Sequence, residues 1–179
     1  ALGTFKFSGN GGSSAVSALD ATAAGDIWDS FDKQVVEASA VPENATTAGN
    51  AAMMTAPGGN NTMLYTLPSL VDGLSVSASY TPQGSVTSGT ESSTAYGLTY
   101  TGIEGLSVSY GAGTSDSGAT ATKADVTTMK ASYAYGPITV AFSDHEYDSV
   151  TDTRDQDVES YSVSYTVSDA ISISYGTDE

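Results

Sequence analysis

Strict alternation of apolar and polar residues constrains this chain more than any other feature. From Gly73 the sequence reads G-L-S-V-S-A-S-Y, with Leu74, Val76, Ala78 and Tyr80 opposite Ser75, Ser77 and Ser79. From Gly105 it reads G-L-S-V-S-Y-G, with Leu106, Val108 and Tyr110 opposite Ser107 and Ser109. The same rhythm runs through Tyr96, Leu98 and Tyr100, and through Met129, Ala131, Tyr133 and Tyr135. It continues in Ile138, Val140 and Phe142, in Tyr161, Val163, Tyr165 and Val167, and in Ile171, Ile173 and Tyr175. A period of two puts successive side chains on opposite faces of a strand, so the chain is all-β.

The polar face is made of small hydroxyls. Ser and Thr total 50 residues, whereas Leu, Ile, Val and Phe total 31. That apolar share is about 17%, below the roughly 20% that marks disorder in a highly charged chain. The chain therefore cannot build an ordinary oily core. A water-soluble sandwich would charge its outer face, whereas hydroxyls suit a wall facing a wet lumen. The opposite face carries Tyr near strand ends, and an amphipathic ring anchors at membrane interfaces. An apolar band edged by aromatics is the outside of a transmembrane barrel. No run of about 18 apolar residues makes a membrane helix, which says nothing against strands.

Strand starts recur at Gly73, Gly105, Pro137 and Ala170, every 32 or 33 residues. Connections alternate between short ones (near 68–72, 102–104, 136–137 and 168–169) and long ones (near 82–93, 112–123 and 144–157). Short turns on one side and long loops on the other are the asymmetry of outer-membrane barrels. A solenoid would share the fixed period but gives no reason for alternating loop lengths or terminal Tyr. Counting adds strands near Thr4 to Ser8 and Thr62 to Leu67, for about nine. Single-chain bacterial barrels have even counts, so nine reads as an internal portion of a larger barrel.

Between about Gly9 and Asn60 the alternation stops. This stretch holds Ala15, Val16, Leu19, Ile27, Trp28, Phe31, Val35 and Val36 beside Asp20, Asp26, Asp29, Asp32, Glu37 and Glu43. Ile27, Phe31 and Val35 are four apart, so residues 26–37 suit a short helix. An apolar and acidic loop of this length satisfies both tendencies by folding into a barrel lumen.

Three stretches resemble the bacterial general porins of alphaproteobacteria. They are T-F-K-F-S-G-N-G-G-S-S-A-V-S-A-L-D at Thr4 to Asp20, A-G-D-I-W-D-S-F at Ala24 to Phe31, and Y-T-L-P-S-L-V-D-G-L-S-V-S-A-S-Y at Tyr65 to Tyr80. The first two are similar to a wall strand entering a constriction loop; the third is similar to the returning strand, turn and next strand. The resemblance implies a 16-stranded barrel, a homotrimer, an outer-membrane location among lipid and lipopolysaccharide, and passive diffusion of small hydrophilic solutes. Under it the chain is one barrel portion, with residues 9–60 as constriction loop and 61–179 as an up-and-down strand array. Asp20, Asp26, Asp29, Asp32 and Glu37 then line the acidic side of the constriction. Lys6 and Lys130, each alternating with apolar neighbours, point inward from the wall. Carboxylates in a narrow mouth attract cations, so a cation preference is expected.

Other chemistries fare worse. The formal charge of −16 opposes nucleic-acid binding, and the absence of Cys removes thiolate sites. Asp144, Glu146, Asp148, Asp152, Asp155 and Asp157 crowd one long loop, where Asp148, Asp152, Asp155 and Asp157 are candidate ligands for a weak structural Ca²⁺. The turn glycine of an EF-hand is absent, and a solvated acidic loop is the simpler account. His145, the one histidine, cannot build a common zinc site alone. No nucleophile elbow accompanies the many serines, so no enzyme is expected. The rival function is a secreted or surface β-rich structural protein, an adhesin or fibre subunit. It differs in needing no detergent. A substrate-specific channel of the same fold is a third reading.

Overall fold

The computed structural model describes residues 2–16, 60–82, 92–116, 123–149, 155–168 and 171–178. They form nine strands in chain order: β1 Thr4–Ser8, β2 Thr62–Thr66, β3 Leu74–Thr81, β4 Ser93–Tyr100, β5 Leu106–Asp116, β6 Lys123–Tyr135, β7 Ile138–Ser149, β8 Gln156–Ser168 and β9 Ile171–Asp178. Each pairs antiparallel with the next, giving one nine-stranded meander. No helix of the described residues is long and apolar enough to cross a membrane, which leaves strand crossing open.

The connections follow from turn chemistry. Leu74 N donates to Val71 O at 3.1 Å, and Leu106 N to Ile103 O at 3.0 Å, closing two similar turns. Gly73 has φ +75°, and a Cβ there would stand 2.2 Å from the backbone N of Gly102 in the adjacent turn. Only glycine meets both demands.

Two strand ends differ from the expectation. The segments 112–123 and 144–157 are not loops throughout: β5 runs to Asp116, and β7 runs to Ser149 before β8 starts at Gln156. Apolar periodicity stops at Phe142 because both faces are polar beyond it. The period of two itself continues, with Asp144, Glu146 and Asp148 on one face and His145 and Tyr147 on the other.

The faces separate cleanly in register. One row across the hydroxyl face reads Lys6, Leu64, Ser79, Ala95, Gly113, Val126, Tyr147. Another reads Ser75, Thr99, Ser109, Lys130, Ser143, Ser160. The opposite face exposes Phe5, Phe7, Tyr96, Tyr135, Val163, Ile173 and Tyr175 among many apolar side chains. Exposed apolar surface on this scale is not tolerated in water and marks a face made for lipid or a partner.

That apolar band is staggered. A single outer row reads Phe5, Tyr65, Ala78, Tyr96, Ala112, Thr127, Glu146, Asp157, apolar at one end and acidic at the other. The uppermost large apolar residue is Tyr80 on β3 and Tyr175 on β9, four rows lower in register. Four rows are eight residues along a strand, spread over six strand steps. At about 3.4 Å rise per residue and about 4.8 Å between strands, a level band requires strands tilted by roughly 40°. Membrane barrels use a tilt of about 35–45°.

Candidate pore wall and loop seat

The first residues of the long loop, 9–16, leave β1 and turn onto the hydroxyl face. Its neck is held by Gly11 N donating to Asn60 Oδ1 at 3.3 Å. Asn61 takes a left-handed φ of +63° as the chain returns, a conformation Asn accepts better than most residues. Ser14, Ala15 and Val16 are buried at 1%, 2% and 0% exposure. Ala15 N donates to the Ser79 hydroxyl on β3 at 2.9 Å. Val16 and Ala15 pack with Ala95 on β4 and Val126 on β6, against Leu64 and Tyr147. This small cluster is the apolar core among the described residues, and it lies on the serine side of the sheet. The seat exists because the row beneath it is short: Ser79, Ala95 and Gly113 let backbone approach backbone. A Cβ on Gly113 would come within 2.7 Å of the Ala95 Cβ.

The wall around the seat is lined with hydroxyls. Thr62 and Thr81 bond at 3.1 Å, as do Thr99 and Ser109. Ser143, Ser160 and Thr128 are fully buried there. Lys6 is exposed on this face, beside Leu64 in register. Lys130 is half-buried between Ser109 and Ser143. Both lysines therefore stand on the face that the alternation predicts. Asp20, Asp26, Asp29, Asp32, Glu37 and Glu43, with the expected helix at 26–37, lie outside the described residues.

Sequence reasoning missed His145. Its place in a segment expected to be loop hides it, yet it stands in β7 on the hydroxyl face at 1% exposure, with Nδ1 bonded to the Thr128 hydroxyl and no partner for Nε2 among the described residues. The signal was present: His145 and Tyr147 continue the phase of Ser143. The acids around it do the opposite. Asp144, Glu146 and Asp148 on β7, Asp157 and Glu159 on β8, and Asp125 on β6 share the outer face by register. Glu146, Tyr147, Asp148, Asp155 and Asp157 line a hollow of about 370 Å³ at this end of the sheet. Asp152 lies outside the described residues. Among the described residues no three metal-ligating side chains converge, so Asp148, Asp155 and Asp157 form no assembled Ca²⁺ site by themselves.

Thus the inner wall bears lysine and hydroxyl, the outer face bears an apolar band with acids above it, and a loop base closes over the wall. Comparison with known proteins agrees with this geometry. A family model described as Gram-negative porin matches residues 4–179. No curated protein matches the chain. Among solved structures, the anion-selective porin from Comamonas acidovorans matches with TM-score 0.51 and 19% identity, over 65% of this chain and 38% of that one. The likeness in structure extends to the fold, and the chain aligns with well under half the length of that porin. The fibre or adhesin reading is set aside by the family match, which spans nearly the whole chain. The chain belongs to the Gram-negative porins, and its place is the bacterial outer membrane.

Proposed function

We propose that the protein forms part of the wall of a water-filled channel for passive diffusion of small hydrophilic solutes. One observation carries the reading: the described start of the long loop, residues 9–16, turns onto the hydroxyl face and is anchored there by Ala15 and Val16. A loop folded over the wet wall narrows a lumen, whereas a loop on the apolar face would block contact with lipid. Narrowing by a polar loop lets hydrated solutes pass and rejects apolar ones. This chemistry needs no cofactor and no bond-making step. In this reading the channel assembles as a homotrimer surrounded by outer-membrane lipid and lipopolysaccharide.

Ion preference follows from which charges dominate the narrow part. The carboxylates Asp20, Asp26, Asp29, Asp32 and Glu37 argue for cations. The described wall answers with Lys6 and Lys130, and the porin from Comamonas acidovorans is by its name anion-selective. The cation preference expected from the loop thus has no support in the described residues. The test is the reversal potential of the full-length protein in a planar bilayer across a KCl gradient. Stepwise conductance supports the channel; its absence from folded, membrane-inserted protein overturns it. Cation selectivity would make the loop acids dominant, and anion selectivity the lysine wall. Competition between solutes for conductance would mark a substrate-specific channel.

A further inference from the structure

An exposed bend at the exit of β1 carries chemistry of its own. Asn10-Gly11 is the one Asn-Gly pair in the chain, and Asp72-Gly73 the one Asp-Gly pair. In such pairs the glycine backbone nitrogen can attack the preceding side-chain carbonyl carbon, because glycine brings no Cβ to obstruct the approach. The two pairs sit in opposite surroundings. Asn10 and Gly11 are both exposed. Gly11 has φ +62°, and nothing stands within 4 Å of the place a Cβ would take there or at Gly9. The Gly11 N–H donates to Asn60 Oδ1 at 3.3 Å, longer than the usual range for such a bond. Asp72 is exposed as well, but Gly73 is clamped. Backbone of the adjacent turn lies 2.2 Å from its Cβ position, and its carbonyl accepts the Thr101 N–H at 2.8 Å. Close packing also resumes directly after Gly11, since a Cβ on Gly12 would come within 2.6 Å of the Thr62 Cβ. The open stretch is therefore Gly9 to Gly11.

We propose that Asn10 is a site of spontaneous covalent modification, turning to aspartate and isoaspartate in the folded protein while Asp72 is protected from the equivalent rearrangement. The Gly11 nitrogen bonds to Asn10 Cγ, the Cγ–Nδ2 bond breaks, and Nδ2 leaves as ammonia with the proton that Gly11 N gives up. One water then opens the cyclic imide, and nothing is oxidised or reduced. Breaking the new N–Cγ bond gives aspartate. Breaking the original peptide bond gives isoaspartate, whose main chain runs through Cβ and Cγ. Cyclisation needs the glycine N–H released and the bend free to rotate. A long, exposed bond and open space meet both needs at Gly11, whereas packing against the next turn denies rotation at Gly73. Either product adds a negative charge where the long loop leaves the wall, and isoaspartate lengthens the main chain there. The effect on the pore rests on the porin reading; the chemistry does not.

The experiment ages the full-length protein, folded in detergent, in mildly alkaline buffer beside the same protein unfolded in urea. Peptide mapping by mass spectrometry reads loss of the amide at Asn10 and isoaspartate at Asn10 and Asp72. Folding is expected to slow the reaction at Asn10 by only about twofold to tenfold, the scale of one exposed hydrogen bond. It is expected to slow Asp72 much further. Asn60→Ala, which removes the acceptor, is expected to bring the folded rate at Asn10 up to the unfolded one. An Asn10 that keeps its amide in folded protein while the unfolded chain loses it overturns the proposal. So does equal slowing at Asn10 and Asp72, which would deny that the open bend selects the site. The reversal potential of the aged samples is the separate readout, expected to move toward cations. Modified protein with an unmoved potential sinks the effect on the pore alone. Folded protein that never conducts sinks the porin reading and leaves the chemistry standing.

Discussion

Ser79 and Gly73 show how much single positions carry here. Ser79 is the residue whose hydroxyl accepts the Ala15 N–H, and the donor is buried. Ser79→Ala leaves that N–H unpaired at a cost of about 1–3 kcal/mol. The expected result is earlier unfolding in denaturant for the full-length protein and noisier single-channel current, because the loop base loses its tie. Val16→Asp should act more strongly, since it buries a carboxylate on the apolar seat formed by Ala95 and Val126. Gly73→Val meets a left-handed φ and a backbone clash at once. Its loss of folding yield in refolding from urea should exceed that of Ser79→Ala, because a β-branched residue has no easy place in that region.

At the scale of elements, β6 and β7 carry Lys130 and His145 on the hydroxyl face. Lys130 faces inward with Ser109 and Ser143 on either side. Lys130→Glu should shift the reversal potential toward cations while leaving unit conductance of the same order, because charge rather than bulk changes. An unchanged potential would place the selectivity filter away from β6. The same two strands show why part of the site was hidden. Apolar alternation identifies β7 from Ile138 to Phe142. The next seven residues, still paired, carry acids outward and His145 and Tyr147 inward, so no hydropathy signal marks them. Lys6 and Lys130 were legible because each sits between apolar neighbours in a strand. The loop acids were legible only as a composition, since nothing local to Asp20 or Asp29 fixes where either carboxylate points.

For the whole molecule, the register ties the membrane to the sheet. The outer band drops eight residues in register between β3 and β9. A flat ribbon has no reason for such a drift, whereas tilted strands in a level bilayer require it. The band predicts a sharp asymmetry between faces. Leu98 lies between Tyr96 and Tyr100 on the lipid side of β4, and Leu98→Arg should cost about 2–4 kcal/mol in folding into lipid vesicles. Thr99→Arg, one residue on, faces the lumen and should cost far less while lowering conductance. Similar costs at the two sites would mean that the faces are assigned the wrong way round.

The sequence by itself determined the strands, their alternating turns, the apolar and hydroxyl faces, and the presence of one long loop, because these depend on residues two apart and on local turn chemistry. Only tertiary structure decided where the base of the long loop sits on the hydroxyl face: Ala15 and Val16 find Leu64, Ala95, Val126 and Tyr147, residues up to about 130 positions away along the chain. The stagger of the band, the inward histidine and the outward acids depend likewise on register across strands. Register arises from hydrogen-bonded pairing between segments, which no single segment contains.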